Sequence, residues 1–335
     1  MTASPLSLVT GGAGFIGSHV TDELIERGHR VIVLDDLSGG FRHNVNERAD
    51  FVVGSITDAA LIERLFSDHA FDYVFHLAAY AAEGLSHFIK RFNYENNLIG
   101  SVNLINASVN AGTVKRFVFT SSIAVYGPGQ VPMREESVPE PEDPYGIAKY
   151  AVEQDLHCSL RLFGLPYTIF RPHNVYGERQ HIGDRYRNVV GIFMNNIMKG
   201  QPLPVFGDGQ QSRAFTYIGD IAPIIAESAQ RPEAENQTFN IGADSTLTVM
   251  ELAQAVAKAM GVKPDIQYLP ARFEVKHAFS THDKIRDVLG FKAATTIEEG
   301  LQRMAGHVLE QGPQTGQKFS HIEIMKNLPP HWLKD

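Results

Sequence analysis

Along the first half of the chain, short apolar runs alternate with longer segments whose apolar positions recur at helical spacing. Leu6–Thr10, Arg30–Asp35, Phe51–Gly54, Tyr73–Leu77, Arg116–Ser121 and Tyr167–Arg171 are rich in Val, Ile, Leu and Phe and predict buried strands. Between them, helical patterns run near Ile16–Arg27, Ala59–Ser67, Tyr94–Ala111 and Tyr145–Phe163. Strands apolar at successive positions are covered on both faces, and regular strand–helix alternation implies a parallel sheet with helices above and below it. From about Pro172 the alternation breaks. Gly200, Pro202, Pro204, Gly207 and Gly209 crowd one stretch, and the elements become shorter and more mixed. The expected fold class is α/β: a doubly wound parallel sheet with a smaller, mixed α/β C-terminal lobe. Gly219–Ala229 and Thr238–Ile241 are expected to return and extend the main sheet. The polar stretch from Gln311 to Asp335 holds a short Ile-Glu-Ile-Met run and fits no element.

At 335 residues the chain exceeds one typical domain and is too short for three, so two closely packed lobes are expected. Its 43% hydrophobic and 20% charged residues are those of an ordinary globular protein rather than a disordered one. The net charge is −8 and the Lys and Arg residues are scattered, which excludes a nucleic-acid partner bound through its phosphates. Cys158 is the only cysteine, so no intrachain disulfide or Cys-built zinc site can form, and a reducing compartment is expected. The fourteen histidines show no H-E-x-x-H pairing, and no metal is expected. The opening residues lack a basic start and a long apolar run, and nothing approaches the roughly 18 to 20 apolar residues of a membrane span. A cytoplasmic protein with no membrane partner is the expectation.

Thr10-Gly-Gly-Ala-Gly-Phe-Ile-Gly17 follows the first strand directly and opens the first helix. Gly11 suits the tight turn, Gly14 a close approach of pyrophosphate to the backbone, and Gly17 the helix–strand contact. The helix start then supplies amide donors and a positive dipole end. The second strand ends at Asp35, at the distance expected of an acid that accepts from a ribose diol. A carboxylate there repels a 2′-phosphate, so NAD is favoured over NADP; the competing reading of Asp35 is a solvated strand end. Asp36 and Asp58 read as turn and cap residues.

Tyr145-Gly-Ile-Ala-Lys149 is Y-x-x-x-K at the start of a helix, and its i, i+4 spacing puts phenol and ammonium on one face. A cation beside the phenol is expected to lower its pKa toward neutrality and make a general base. The spacing alone arises by chance roughly 0.4 times in such a composition. Ser121 and Ser122 close the preceding strand, at the carboxyl edge where open α/β sheets bind ligands. The ordered set of glycine turn, ribose acid, strand-end Ser and Y-x-x-x-K is far more specific than any one member. His76 ends a buried strand and reads as structural. Cys158 lies thirteen residues beyond Tyr145, about 220° around the helix, and reads as packing.

These residues resemble the extended short-chain dehydrogenase/reductase family, in its nucleotide-sugar epimerase and dehydratase branch, with a pattern most similar to the UDP-glucose 4-epimerases. The resemblance covers roughly Leu6 to Gly290. It is carried by TGGAGFIG (10–17), LDDLS (34–38), HLAA (76–79), NN (96–97), SSIAVYG (121–127), YGIAK (145–149), RPHNVYG (171–177), GDGQQSRAFTYIGD (207–220) and NIG (240–242). It implies a Rossmann-type NAD-binding domain over 1–172, with 213–242 free to return to it, and a substrate-binding lobe over 173–335. It implies NAD held by Gly11, Gly14, Phe15, Ile16, Gly17 and Asp35, then by Ser55, Ile56, Leu77, Ala78, Ala79 and Asn97. Tyr145 would be the catalytic base, Lys149 would tune it and bind the ribose, and Ser122 would bond the reacting hydroxyl. Asn174, Arg213 and Arg272 match positions that contact the nucleotide diphosphate, although the usual RPGEV reads RFEV at 272–275. The helices 94–111 and 145–163 would pair two copies into a homodimer.

The departures bear on the reaction. Gly54-Ser55 stands where the family has Gly-Asp, so a hydroxyl replaces the carboxylate that meets adenine. The segment Tyr80-Ala-Ala-Glu-Gly-Leu-Ser-His-Phe88 is unusual: a lysine is expected near Ala81 and a proline at Lys90. Glu83, Ser86 and His87 are therefore candidates to meet the sugar, Glu83 and His87 as an acid/base pair, or else they are polar loop residues. Two positions after Ser122 hold Ile123 and Ala124, where similar dehydratases carry Asp and Glu, decarboxylases a Glu at the second, and 3,5-epimerases a Cys there. The expected function is NAD-dependent epimerisation of a nucleotide-diphosphate sugar, a UDP-hexose, at C4 through a 4-keto intermediate. The alternatives are a dehydratase, decarboxylase or 3,5-epimerase using Glu83 and His87, and a non-enzymatic NAD-binding sensor.

Overall fold

In the computed structural model, which describes residues 4–332 except 185, 272–275, 317–318, 320 and 330–331, each apolar run of the first half is a strand. These strands are β1 (Leu6–Thr10), β2 (Arg30–Asp35), β3 (Asp50–Val53), β4 (Tyr73–His76), β5 (Arg116–Thr120) and β6 (Tyr167–Pro172). The helices among them are α1 (Phe15–Glu26), α2 (Ala59–Asp68), α3 (Glu83–Ser86), α4 (Lys90–Tyr94), α5 (Gly100–Ala111) and α6 (Pro144–Phe163). The second half begins with β7 (Val175–Tyr176), α7 (Val189–Met198), β8 (Leu203–Phe206), β9 (Ser212–Ala214), β10 (Thr216–Tyr217) and α8 (Ile218–Ser228). It continues with β11 (Gln237–Ile241), β12 (Thr246–Thr248), α9 (Val249–Ala259), β13 (Ile266–Leu269), β14 (His277–Ala278), α10 (Asp283–Leu289) and α11 (Ile297–Gln311).

Seven strands form one parallel sheet in the order β11-β6-β5-β4-β1-β2-β3. The order reverses between β1 and β4, where the crossovers leave in opposite directions and open a crevice at the carboxyl edge. Alternate strand residues feed two cores. Val9, Val33, Phe75, Val118 and Phe170 pack with Val20 and Leu24 of α1 and Ile221 and Ile225 of α8. Leu8, Leu34, Val74, Phe117 and Ile169 pack on the other face with Ile62 of α2, Leu104 of α5 and Val152 and Leu156 of α6. This is the Rossmann-type, doubly wound sheet that the hydrophobic pattern predicts. The smaller lobe holds a three-stranded β12-β9-β14 sheet and a β13–β8 pair, with α7, α9 and α11 around them.

Two elements depart from the pattern. Thr238–Ile241 falls in β11 and joins the sheet beside β6, but Gly219–Ala229 is not a strand. Its buried Ile218, Ile221, Ala222 and Ile225 recur at helical spacing, so it forms α8 and covers α1. The single helix expected over 94–111 starts earlier, at Lys90, and passes through a π-helical turn over Glu95–Ile99 before α5. Such a turn re-aims the side chains that follow it and often marks a functional site. Among the described residues no helix is long and apolar enough to cross a membrane.

Candidate active site

A cavity of about 460 Å³ runs along the carboxyl edge of the sheet, from the β1–α1 turn to the start of α6. At its first end Gly11 turns with φ of 74°, and a Cβ there would lie 2.7 Å from the amide nitrogen of Ala78. A Cβ on Gly17 would lie 2.1 Å from the Gly11 carbonyl oxygen, so helix and turn can meet this closely only through glycine. Gly14 caps α1 without a side-chain hydrogen bond, which leaves the first-turn amides open toward the cavity. Asp35 ends β2 nearly buried, its carboxylate accepting from the amides of Ala13 at 3.0 Å and Leu37 at 2.8 Å. Burial pushes its pKa up, and the two amide bonds pull it back. Asp35 is thus a held strand-end acid on the cavity rather than a solvated one. Phe15, Ile16, Ser55, Ile56, Leu77, Ala78 and Ala79 line the same slot. Thr120 Oγ1 and Gln180 Oε1 are buried on lining residues without a hydrogen-bond partner among the described residues. Open helix amides, a strand-end carboxylate and orphaned polar atoms on an apolar slot fit a dinucleotide.

At the other end, Asp143 caps α6 by accepting from Gly146, and Pro144 fills the first helical position. Tyr145 and Lys149 therefore project from the first turn and a half of α6, beside Ser122 at the end of β5. The Tyr145 phenol is hydrogen-bonded to Ser122, and the Ser122 Oγ also accepts from the Ala124 amide at 3.1 Å. Lys149 is buried; its Nζ donates to the Thr120 carbonyl at 2.7 Å and lies 4.6 Å from the centre of the Phe119 ring and 5.8 Å from that of Tyr145. The expected lowering of the phenol pKa does not occur. Burial drives Tyr145 upward and the charge of Glu83 adds to it, with the Ser122 hydrogen bond the chief opposing contact. Lys149 bears the complementary cost: burial brings it down to about 7, against the raising influence of Glu153. Desolvation, the first cause for both groups, outweighs the pairing that the i, i+4 spacing suggests. Beneath them, Glu153 accepts from Ser121 and from Arg171, which also donates to Tyr126 at 2.7 Å.

Several expected contacts fall elsewhere. Asn97 does not line the cavity. It is buried behind it, accepting from the Tyr80 amide at 2.8 Å and donating to the Tyr80 carbonyl at 3.0 Å, while the π-helical turn presents Asn96 instead. Ser86 is buried outside the lining: it donates to the Glu83 carbonyl and to Asp143 and accepts from the Tyr145 amide at 3.3 Å. Glu83 lines the cavity but His87 is exposed outside it, so the two do not face one space as an acid/base pair. Asn174 lines the cavity; Arg213, on β9, does not, and donates to the carbonyls of Ser212 and Lys276. Arg272 lies outside the described residues. Asp36 accepts from the Ser38 amide and Asp58 from the Leu61 amide, as turn and cap. His76 is structural, bridging Thr10 and Ser101 at 2.8 Å each. Cys158 is exposed rather than packed, because the far side of α6 meets no core there.

Sequence reasoning missed Tyr80, Phe92, His181, Tyr186, Arg187 and Asn188, which also line the cavity. Arg187 is paired with Asp184 at 2.6 Å and lies 5.0 Å from the centre of the Tyr80 ring. The cluster Asp184-Arg-Tyr-Arg-Asn188, charged and aromatic in a loop just after a family marker, was the available signal.

The chain matches the NAD dependent epimerase/dehydratase family over residues 7–242. It is 33% identical over 305 residues to a UDP-glucose 4-epimerase of Mycolicibacterium smegmatis, covering 89% of this chain and 96% of that one. Its structure is similar to that of the Thermotoga maritima UDP-glucose 4-epimerase with UDP-glucose, with a TM-score of 0.87 and 38% identity over 91% of this chain and 99% of that one. It is also similar to the Thermus thermophilus UDP-glucose 4-epimerase in complex with NAD, with a TM-score of 0.83 and 31% identity over 90% and 98% of the two chains.

Proposed function

The chain belongs to the NAD dependent epimerase/dehydratase family and is a nucleotide-sugar epimerase; within that class we propose that it inverts C4 of a UDP-hexose through a transient 4-keto sugar. The single observation that carries the choice of reaction is the end of β5. Ser122 is followed by Ile123 and Ala124, which can move no proton, so nothing there protonates a leaving hydroxyl or exchanges the C5 hydrogen. In this reading the glycine turn, the open amides of α1 and Asp35 hold the dinucleotide, with Ser55, Ile56 and Leu77–Ala79 along it. Bound NAD supplies reversible oxidation and reduction at the sugar carbon. Tyr145 takes the proton of the C4 hydroxyl and returns it, Ser122 bonds the same oxygen, and Lys149 holds positive charge beside both. Because burial opposes the phenolate, the Ser122 hydrogen bond and, more weakly, the Arg187 charge favour it in the free protein, and Lys149 stands 5.8 Å from the centre of the ring to add its charge. Asn174 serves the diphosphate.

We assign residues 1–172 with β11 to cofactor binding and most of the remainder to the substrate. Ile99, at the end of the π-helical turn before α5, and Ile147 on α6 are 51% and 42% exposed, which favours a homodimer through these helices, and sedimentation would test it. A second reading has one supporting observation: Glu83 lines the cavity and its charge is felt at Tyr145. It makes Glu83 the base of an eliminating enzyme. The deciding experiment offers UDP-glucose, UDP-N-acetylglucosamine and UDP-glucuronate in deuterated water and identifies products by NMR. A stable 4-epimer without deuterium at C3 or C5 is expected. An unsaturated or 6-deoxy-4-keto product, or deuterium at C5, would transfer the assignment to Glu83.

A further inference from the structure

The C-terminal tail, whose polarity fits no regular element, returns across the molecule to the cavity. Beyond α11, Gln314 accepts from the Gly183 amide at 3.2 Å and exchanges two hydrogen bonds with Asn195. The Phe319 ring stands 4.8 Å from that of Phe92 and 5.6 Å from that of Tyr80, and its amide donates to the Tyr186 phenol at 3.4 Å. Glu323 accepts from the amides of Arg91 and Phe92 at 2.9 and 3.0 Å, capping the first turn of α4. The amides of Glu323 and Ile324 donate to the Phe88 carbonyl. Trp332, 8% exposed, stands edge-on to Tyr186 at 5.3 Å and to Phe88 at 5.8 Å. A Cβ on Gly84 would lie 3.6 Å from its indole.

These rings form an apolar cluster of their own with Ala82, Leu85, Ile89 and Leu328, separate from both cores of the main sheet. Four residues that touch the tail, Tyr80, Gly84, Phe92 and Tyr186, line the cavity. The contacts reach the chemistry in three steps: Trp332 covers Gly84, the same turn holds Ser86, and Ser86 accepts from the Tyr145 amide. A merely closing tail would have no reason to touch so many lining residues.

We propose that Phe319 and Trp332 are positioning residues of the substrate site, fixing the wall of Tyr80, Gly84, Phe92 and Tyr186 before the nucleotide sugar arrives. This rests on the reading of the cavity as a nucleotide-sugar site. A preformed wall spares the ligand the cost of ordering those side chains on binding. Without the indole, α3 and the Tyr186 loop lose their shared neighbour and must be ordered by the ligand itself.

Trp332 is the only tryptophan of the chain, so its emission reports on this wall alone. NAD-loaded protein is titrated with UDP-glucose and with UDP, by calorimetry and by tryptophan emission together. The expected result is calorimetric binding with little change of emission, since the indole is already seated before the ligand arrives. Trp332→Ala should weaken UDP-glucose about tenfold and raise KM more than it lowers kcat, with the affinity for NAD unchanged. Trp332→Phe, which keeps a ring at the contact, should recover most of the loss. A large emission shift that follows the isotherm, which would mean that the ligand itself orders the wall, overturns the proposal. So does wild-type UDP-glucose affinity in Trp332→Ala, or a parallel loss of NAD affinity, which would mark a general role in folding. If neither UDP-glucose nor UDP binds the wild-type protein, the substrate reading fails instead.

Discussion

The two ends of the cavity are built by different means. The cofactor end is made of strand ends and one turn on a single edge of the sheet: the turn from Thr10 to Gly17, Asp35 one strand later, and Leu77–Ala79 at the end of the strand beside β1. Its contacts are mostly backbone, so glycine spacing and strand ends nearly dictate them. The sugar end draws on residues 80–92, 180–188 and the tail, joined by rings and side-chain hydrogen bonds across very different parts of the chain. On the proposed reading the backbone end holds the constant ligand, the dinucleotide, and the other end the sugar. The side-chain end can change its specificity without touching the sheet. Substitutions at the first should therefore act on cofactor binding, those at the second on the sugar, and those at the start of α6 on the chemistry alone.

The largest effect should come from the start of α6. Tyr145→Phe removes the proposed base and little binding surface, so kcat should fall by at least about 10²-fold while NAD and UDP-glucose still bind. Near-normal kcat would remove the catalytic assignment. Next in size is Asp35→Ala, measured as NAD and NADP affinity on cofactor-stripped protein. The wild-type chain should prefer NAD. The variant should narrow the gap by about tenfold, since a charge pair at 4 Å is worth about 1 to 4 kcal/mol near a protein surface. Its loss also frees the Ala13 and Leu37 amides, donors that suit a phosphate. Equal affinities in the wild-type protein would break the account of the cofactor end.

Lys149 offers a smaller test, on stability. An ordinary lysine loses its proton near 10.5, and burial brings this one down to about 7. Between those values the unfolded chain holds more protons than the folded one, so this group's contribution to stability rises with pH across that window. Below about 7 both states are protonated and the full cost of the buried charge is present. In Lys149→Met the rise of melting temperature between about pH 7 and 10 should be shallower than in the wild-type protein. Matching slopes would mean that the amine is not held down in the ligand-free chain.

What is legible in the sequence follows the same division. The strands, the glycine turn, Asp35 and the Tyr145–Lys149 pair are readable because each depends on spacing within one element or on one element's end. The sequence pattern does not tell Asn96 from Asn97, because a π-helical turn decides which of the two lines the cavity, and no periodicity of apolar residues records that. The α8 segment resembles a strand because its short apolar run from Ile221 to Ala226, broken only by Pro223, serves either element until a neighbour is known. The pKa of Tyr145 escapes the pattern because spacing shows a cation on the same helix face but not the depth at which both groups are buried. The tail is invisible because its few apolar residues have partners more than a hundred positions away.

The smallest effect should come from Ser86, where the two ends meet. The unusual segment 80–88 makes Ser86 a candidate to touch the sugar, but its hydroxyl is spent inside the protein, on Glu83, Asp143 and the Tyr145 amide. Ser86→Ala leaves the cap of α6 in place, since Asp143 still accepts from Gly146 at 2.9 Å. What it removes is the tie between the turn that carries Glu83 and the residue proposed as base. The net worth of such a hydrogen bond is about 1 kcal/mol, so kcat should fall about fivefold through misplacement of Tyr145. KM for UDP-glucose and the affinity for NAD should hold. Unchanged kcat would show that the sugar wall and α6 act independently, and the comparison would lose its joint. A drop as deep as that of Tyr145→Phe, or a rise in KM alone, would return Ser86 to direct contact with the substrate.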